Sequence, residues 1–172
     1  DDGFLQLHVR LIADGEFTGH VFSGMKEKDI LRFQGPYGSF FLREESSKPV
    51  ILVAGGTGFA PIKSIVEHAL HSGTQRPLTL YWGARHLPDI YMYDLPLQWQ
   101  QGHGNFKFVP VLSQPGAADH WTGRVGHVQD CVLEDFADVR GVQVYACGSP
   151  SMVEDAHKKL VAAGLPDEEF YS

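Results

Sequence analysis

Cysteine is scarce in this sequence. Its 172 residues hold two, Cys131 and Cys147, too far apart for a CxxC device and too few to ligate an iron–sulfur cluster. Any such cluster is therefore expected in a segment outside this chain, and the low cysteine use suits a reducing, cytoplasmic location. The opening DDGFLQLHVR has neither the basic start nor the apolar core of a secretion signal and reads as the interior of a larger protein. Long apolar runs are missing as well. The longest, such as Val50–Ala54, fall far short of the roughly 20 residues of a membrane-spanning helix, so no span is expected. The formal net charge of −7 and the absence of a Lys/Arg cluster argue against nucleic acid as a partner. Nucleophile signatures are absent too: there is no G-x-S-x-G elbow, and the glycine-rich stretch at 55–58 lacks the Lys-Ser/Thr pair of a phosphate-cleaving loop. Hydrolase and nucleotide-hydrolysing chemistry are thereby disfavoured.

What is present is a change of pattern along the chain. Leu5, Leu7, Val9 and Leu11 alternate with polar residues, predicting a half-buried strand, and Asp14-Gly15 supplies a turn. Thr18 reads as the N-cap of a short segment over 20–25. Residues 29–33 and 38–42 read as two further strands about Gly35-Pro36-Tyr37-Gly38, so the opening predicts an incomplete antiparallel unit. After the polar run 44–48 comes Val50-Ile51-Leu52-Val53-Ala54, a run suited to a strand covered on both faces. The domain boundary is therefore placed between 47 and 48.

From there strands and helices alternate. Ile62, Ile65, Val66, Ala69 and Leu70 form a helical stripe closed by Gly73, and residues 78–82 are the second strand. Residues 94–101 predict a helix, 106–112 a third strand, 129–136 another helix and 142–146 a fourth strand. Ser149-Pro150 opens a last helix with the stripe Val153, Ala156, Leu160 and Ala163. Residues 169–171 begin a fifth strand. The predicted fold is α/β: a doubly wound parallel five-stranded sheet with a ligand crevice at the carboxyl ends of its strands.

Two strand-to-helix turns carry the candidate chemistry. Gly55-Gly56-Thr57-Gly58-Phe59-Ala60-Pro61 follows a buried strand and opens a helix, where backbone amides and the positive helix end suit an anion and glycine admits a pyrophosphate closely. Pro61 fits the first turn. A tight packing turn is the competing reading. The second is Tyr145-Ala146-Cys147-Gly148-Ser149-Pro150-Ser151-Met152, on the same edge of the sheet. Two such turns can flank one dinucleotide. Arg85 follows the second strand, where a guanidinium engages an adenosine ribose, its 2′-phosphate or solvent. Cys131 and the aromatics Tyr91, Tyr93, Trp99 and Trp121 read as ordinary packing. His68 and His71 share a helix face without a third ligand nearby, so no metal site is expected.

The paired turns resemble the GGTGxAP and CGxPxM signatures of the ferredoxin-NADP reductase superfamily. Tyr81-Trp82-Gly83-Ala84-Arg85 and Trp121-Thr122-Gly123-Arg124-Val125-Gly126 are similar to further motifs of its NAD(P)-binding domain. Within it the whole chain is similar to reductases of the CDP-6-deoxy-glucoseen reductase, phenol hydroxylase reductase and NAD(P)H-flavin reductase types.

The resemblance implies residues 1–47 as the end of an FAD-binding β-barrel and 48–172 as the NAD(P)-binding domain. It implies that Gly56, Gly58 and Pro61 shape the pyrophosphate site, with Gly83, Ala84 and Arg85 in the cofactor site. Thr57 is then at the flavin edge, Cys147 and Gly148 border the nicotinamide, and Met152 completes the second signature. Cys147 would guide hydride geometry rather than attack substrate. His8-Val9-Arg10 and Phe17-Thr18-Gly19 fall where members line the flavin and reach its phosphate. The family's RxYS flavin motif is expected upstream of Asp1.

The implied activity is hydride transfer from NAD(P)H, with NADH favoured, to FAD, and electron delivery to an iron–sulfur centre or another acceptor domain or protein. A reductase releasing free reduced flavin and a non-catalytic nucleotide-binding module remain as alternatives. A cysteine-rich segment upstream together with RxYS favours the first reading, and RxYS alone the second.

Overall fold

The computed structural model describes residues 4–172, which divide into two compact units, one running through Ser39 and the other spanning Phe40–Ser172. In the second unit six strands form one parallel sheet: β1 (Val50–Gly55), β2 (Leu78–Ala84), β3 (Phe106–Leu112), β4 (Arg124–Val125), β5 (Gln143–Cys147) and β6 (Phe170–Tyr171), in the order β4-β3-β2-β1-β5-β6. The five expected strands are all there. The addition is β4, two residues that pair only with Val111 and Leu112.

Alternation along β1 builds two cores. Val50, Leu52 and Ala54 pack with Phe59, Ile62 and Val66 of α2 (Phe59–His71), and with Trp99 of α3 (Asp94–Gly102). Ile51 and Val53 pack on the opposite face with Cys131 and Val132 of α4 (Val128–Asp135), and with Leu160 of α5 (Pro150–Ala162). A strand covered on both faces must be apolar at every position, which is why β1 reads as a continuous apolar run. Cys131 is buried in this second core, as its helical setting predicted. In α5 the Ser149 hydroxyl accepts the Met152 N–H as N-cap, while Ala163, expected in the buried stripe, is exposed at the helix end.

The topology dictates where a ligand goes. The chain steps outward from β1 through β2 and β3 to β4, then returns to the other side of β1 as β5. Loops leaving β1 and β5 therefore diverge, opening a crevice at the carboxyl ends of these neighbouring strands.

The amino ends are closed by a polar hub. Arg76, 9% exposed, donates to the Lys48 carbonyl at 2.7 Å, the Arg43 carbonyl at 2.9 Å and Gln143 Oε1 at 2.7 Å. The Tyr145 hydroxyl accepts the Arg43 N–H at 2.9 Å. These bonds fasten the segment preceding β1 to β5.

The first unit departs from the expected antiparallel strands. Residues 5–11, 29–33 and 38–42 form no ladder. Pairing is nonlocal, and alternation alone cannot supply a partner; Leu5, Leu7 and Leu11 are correspondingly exposed. The helix there begins at Glu16, not after Thr18: α1 (Glu16–Gly19) follows Gly15 and continues as a wider-wound turn over His20–Gly24. Thr18 thus sits inside the first turn. Its hydroxyl accepts the Ile12 N–H and donates towards the Ile12 and Gly15 carbonyls, a turn-closing role rather than a cap. No helix among the described residues is long and apolar enough to cross a membrane.

Candidate functional site

The turn after β1 is helical almost at once. Gly56–Gly58 forms one tight turn that runs directly into α2, with Pro61 in the first turn of that helix. Gly56 adopts φ +53°, a left-handed conformation that L-residues with a Cβ disfavour. The first N–H groups of a helix have no acceptor within it, so the start of this element presents donors and a positive dipole end at the crevice. Beneath it, Trp82 Nε1–H donates to the Gly56 carbonyl at 3.1 Å. The Trp82 ring stacks on Phe59 with centroids 3.8 Å apart and planes at 12°.

The turn after β5 lies directly against it. A Cβ on Gly58 would stand 2.2 Å from the Cys147 carbonyl oxygen and 2.7 Å from the Gly148 nitrogen. A Cβ on Gly148 would stand 3.2 Å from the Gly55 Cα and 2.6 Å from the Met152 methyl. Gly58 is therefore a glycine because two backbones meet with no room for a side chain, whereas Gly55 and Gly148 leave room for the Met152 side chain between the turns. Met152 packs over Gly55 and Gly148 and so supports the turns from behind. At the end of β2, Gly83 lies opposite Gly55 and is covered by Val128, whose methyl would be 2.7 Å from a Cβ there.

Thr57, Cys147 and Gly148 are half-buried at this rim. A cleft of about 620 Å³ opens beside Cys147 and Gly148, walled by Val153, His157, Phe170 and Ser172. Burial pushes the Cys147 thiol above its ordinary pKa, against the Gly148 N–H that pulls it down. It is a neutral thiol near pH 7, without the depressed pKa of a nucleophile. Ala84 is half-buried at the end of β2, and Arg85 extends exposed beyond it.

In the first unit, His8 and Val9 are half-buried and Arg10 is exposed; the His8 ring lies 3.3 Å from Gln6 Oε1. Phe17 is exposed, and Thr18 and Gly19 are half-buried.

Sequence reasoning missed two contributors at the rim. Trp82 is the floor of the first turn, signalled only by its place in the Tyr-Trp-Gly-Ala-Arg motif. Asp119 ties two loops together: it accepts the N–H of Gly116 in its own loop and that of Leu87, remote in sequence, which no local pattern reveals.

A doubly wound sheet whose switch point carries two abutting glycine turns, one opening a helix, fits the pyrophosphate and nicotinamide of a dinucleotide. This defines a nucleotide-binding α/β domain. The chain belongs to the oxidoreductase NAD-binding domain family, whose model matches residues 52–158. Residues 1–42 match the oxidoreductase FAD-binding domain. The flavin and nicotinamide cofactors expected from the sequence are those that these two descriptions name.

The chain is 40% identical over 168 residues to Protein RfbI of Salmonella typhimurium, covering 98% of this chain and 50% of the relative. It is also 40% identical over 171 residues to CDP-6-deoxy-L-threo-D-glycero-4-hexulose-3-dehydrase reductase of Yersinia pestis, covering 99% and 51%. Among solved structures, the Amycolatopsis cytochrome P450 reductase GcoB superposes with a TM-score of 0.87 at 32% identity, over 96% of this chain and 50% of that one. The chain thus spans about half the length of the curated relatives it matches.

Proposed function

We propose that this chain is the nicotinamide-binding half, with part of the flavin-binding domain, of an NAD(P)H-dependent flavoprotein reductase that delivers electrons to an iron–sulfur centre or another acceptor. The observation that carries the proposal is the backbone contact between the turns at Gly55–Gly58 and Cys147–Gly148 at the switch point of the sheet. When bound, the nicotinamide and the flavin supply the hydride and electron chemistry.

The chain's own residues bind and orient. First-turn amides at Gly56–Gly58 take the pyrophosphate, with Pro61 setting the helix start and Gly56 and Gly58 admitting close approach. Cys147 and Gly148 border the nicotinamide, and the neutral Cys147 thiol sets its distance and angle without forming a bond. Thr57 is assigned to the flavin edge, and Gly83, Ala84 and Arg85 to the adenosine side. In the first unit, His8, Val9 and Arg10, with Phe17, Thr18 and Gly19, are assigned to the flavin. The Thr18 hydroxyl is engaged in its own turn and the Gly19 N–H is bonded to the Gly15 carbonyl, so the flavin phosphate falls to the remaining first-turn N–H groups.

Relatives support the acceptor class. One is named the xylene/toluene monooxygenase electron transfer component of Pseudomonas putida, and another a terephthalate 1,2-dioxygenase reductase component of Comamonas. The acceptor is accordingly an oxygenase-type or comparable redox protein or domain. Arg85 at the end of β2 serves either cofactor, and NADH is favoured because no second lysine or arginine lies close by in sequence.

The test is titration of the purified chain with NADH and NADPH, with an absorbance spectrum for retained flavin. Saturable NADH binding, tighter than NADPH, is expected; no binding of either refutes the proposal. In the flavin-loaded full-length protein, Cys147→Ser lowers the flavin reduction rate more than it weakens NADH binding. An unchanged rate removes Cys147 from hydride positioning.

A further inference from the structure

Two loops on the far side of β1 from Cys147 are zipped together at the carboxyl edge of the sheet. One leaves β2 and carries Arg85 and His86; the other leaves β3 and carries Ser113 and Gln114. Their backbones bond side by side: the Ser113 N–H donates to the Ala84 carbonyl at 2.9 Å and the Gln114 N–H to the Arg85 carbonyl at 3.1 Å. The Ser113 hydroxyl donates to the same Ala84 carbonyl at 3.3 Å. Beyond these rungs the pair is closed by one carboxylate. Asp119 Oδ1 accepts the Leu87 N–H at 3.2 Å, its Oδ2 accepts the Gly116 N–H at 2.7 Å, and His86 Nδ1 lies 3.5 Å from Oδ2. The Asp119 side chain is 8% exposed, while the Gly116 it also holds is open to solvent.

The position of this latch gives it a role. A dinucleotide held by its pyrophosphate over β1, with its nicotinamide over β5, must extend its other half across the carboxyl ends of β2 and β3. Neighbouring strands are about 4.8 Å apart, so the loops after β2 and β3 lie within the reach of an adenosine. We propose, resting on the reading given under Proposed function, that Asp119 is a positioning residue for the adenosine half of the dinucleotide. It holds the Arg85–His86 loop against the Ser113–Gln114 loop and so fixes the wall on which the adenosine ribose lies. Asp119 does not touch the cofactor; it acts through these loops. Its Oδ2 is held by Gly116 of its own loop while its Oδ1 reaches across to Leu87, so the charged acceptor is oriented by one bond and ties the loops by the other.

The experiment measures the affinity of the full chain for NADH, for 5′-AMP as the adenosine half and for nicotinamide mononucleotide as the other half, in the unaltered protein, Asp119→Ala and Asp119→Asn. Asp119→Ala is expected to weaken NADH and 5′-AMP about tenfold and to leave nicotinamide mononucleotide within twofold. Asp119→Asn, which keeps one acceptor oxygen, is expected to recover part of the loss. In the flavin-loaded full-length protein, the limiting flavin reduction rate at saturating NADH stays unchanged while KM rises. Unchanged NADH and 5′-AMP affinities in both variants overturn the inference alone, and equal loss for both half-ligands reduces Asp119 to a general structural role and overturns it too. Should Asp119→Ala fail to fold, the Asp119→Asn affinities decide by the same selectivity. Failure of the unaltered chain to bind NADH overturns the proposed function, and this inference with it.

Discussion

Gly58→Ala puts the central contact under direct strain. Gly58 has φ −59° and ψ −11°, a conformation that alanine adopts freely, so the substitution costs nothing through the backbone torsions. Its cost is space. The new methyl would lie 2.2 Å from the Cys147 carbonyl oxygen and 2.4 Å from its carbon, whereas an ordinary contact is about 3.4 Å. Both opposing atoms are backbone in a strand paired to β1, so no side chain can swing aside, and the two turns must part by roughly 1 Å. Overpacking of this kind costs about 1–3 kcal/mol, which in a protein of this size lowers Tm by roughly 2–12 °C. A displacement of about 1 Å at reacting groups costs up to roughly a hundredfold in rate, so NADH affinity and hydride transfer should fall together. Gly102→Ala is the matched control, because a Cβ there meets nothing within 4 Å; its Tm should stay within about 2 °C. Thermal denaturation and NADH titration of the two variants read the difference. If Gly58→Ala matched Gly102→Ala in both, the turns would not be in contact and the site would dissolve.

Other outcomes follow from the same contacts. Arg76→Met removes three donors from the Lys48 and Arg43 carbonyls and from Gln143, costing about 2–4 kcal/mol and lowering Tm by roughly 5–15 °C; a fall below about 2 °C in a thermal scan contradicts the hub. The Cys147 thiol, raised by burial, stays protonated through neutral pH and loses its proton only above the ordinary thiol value of about 8.5. Its iodoacetamide alkylation, followed by mass spectrometry, should therefore keep rising with pH beyond about 8.5; a plateau reached by pH 8 would mean a depressed thiol and a different role.

Much of the second unit was legible because its signals are local. The run at Val50–Ala54 has no polar position because helices cover both faces of β1, and the stripe Ile62, Ile65, Val66, Ala69 turns one side of α2 to the core. The glycines at 55, 58 and 148 were legible as turns, but Gly58 is small because of the Cys147 backbone about ninety residues away in sequence, and Gly55 and Gly148 because Met152 packs over both, which only the structure supplies. Strand β4 escaped notice because two residues carry no periodicity. The first unit misled for the opposite reason. Alternation at Leu5, Leu7, Val9 and Leu11 is a property of the residues themselves, whereas a ladder is a property of a pair, and no partner strand lies among the described residues up to Pro49. Asp119 was invisible because its partner Leu87 is selected by how two loops fold back on each other, and the bond to Gly116 in its own turn gives no sign of that.

The central claim is that two strand ends grip one dinucleotide. It is tested most directly by recording backbone amide resonances of the labelled chain during NADH addition. The account predicts that the Gly56, Thr57, Gly58, Cys147 and Gly148 signals shift together along one saturation curve, while those of Lys63 and Glu67, farther along α2, stay put. Shifts confined to one of the two turns, or none at either under saturating NADH, would contradict it.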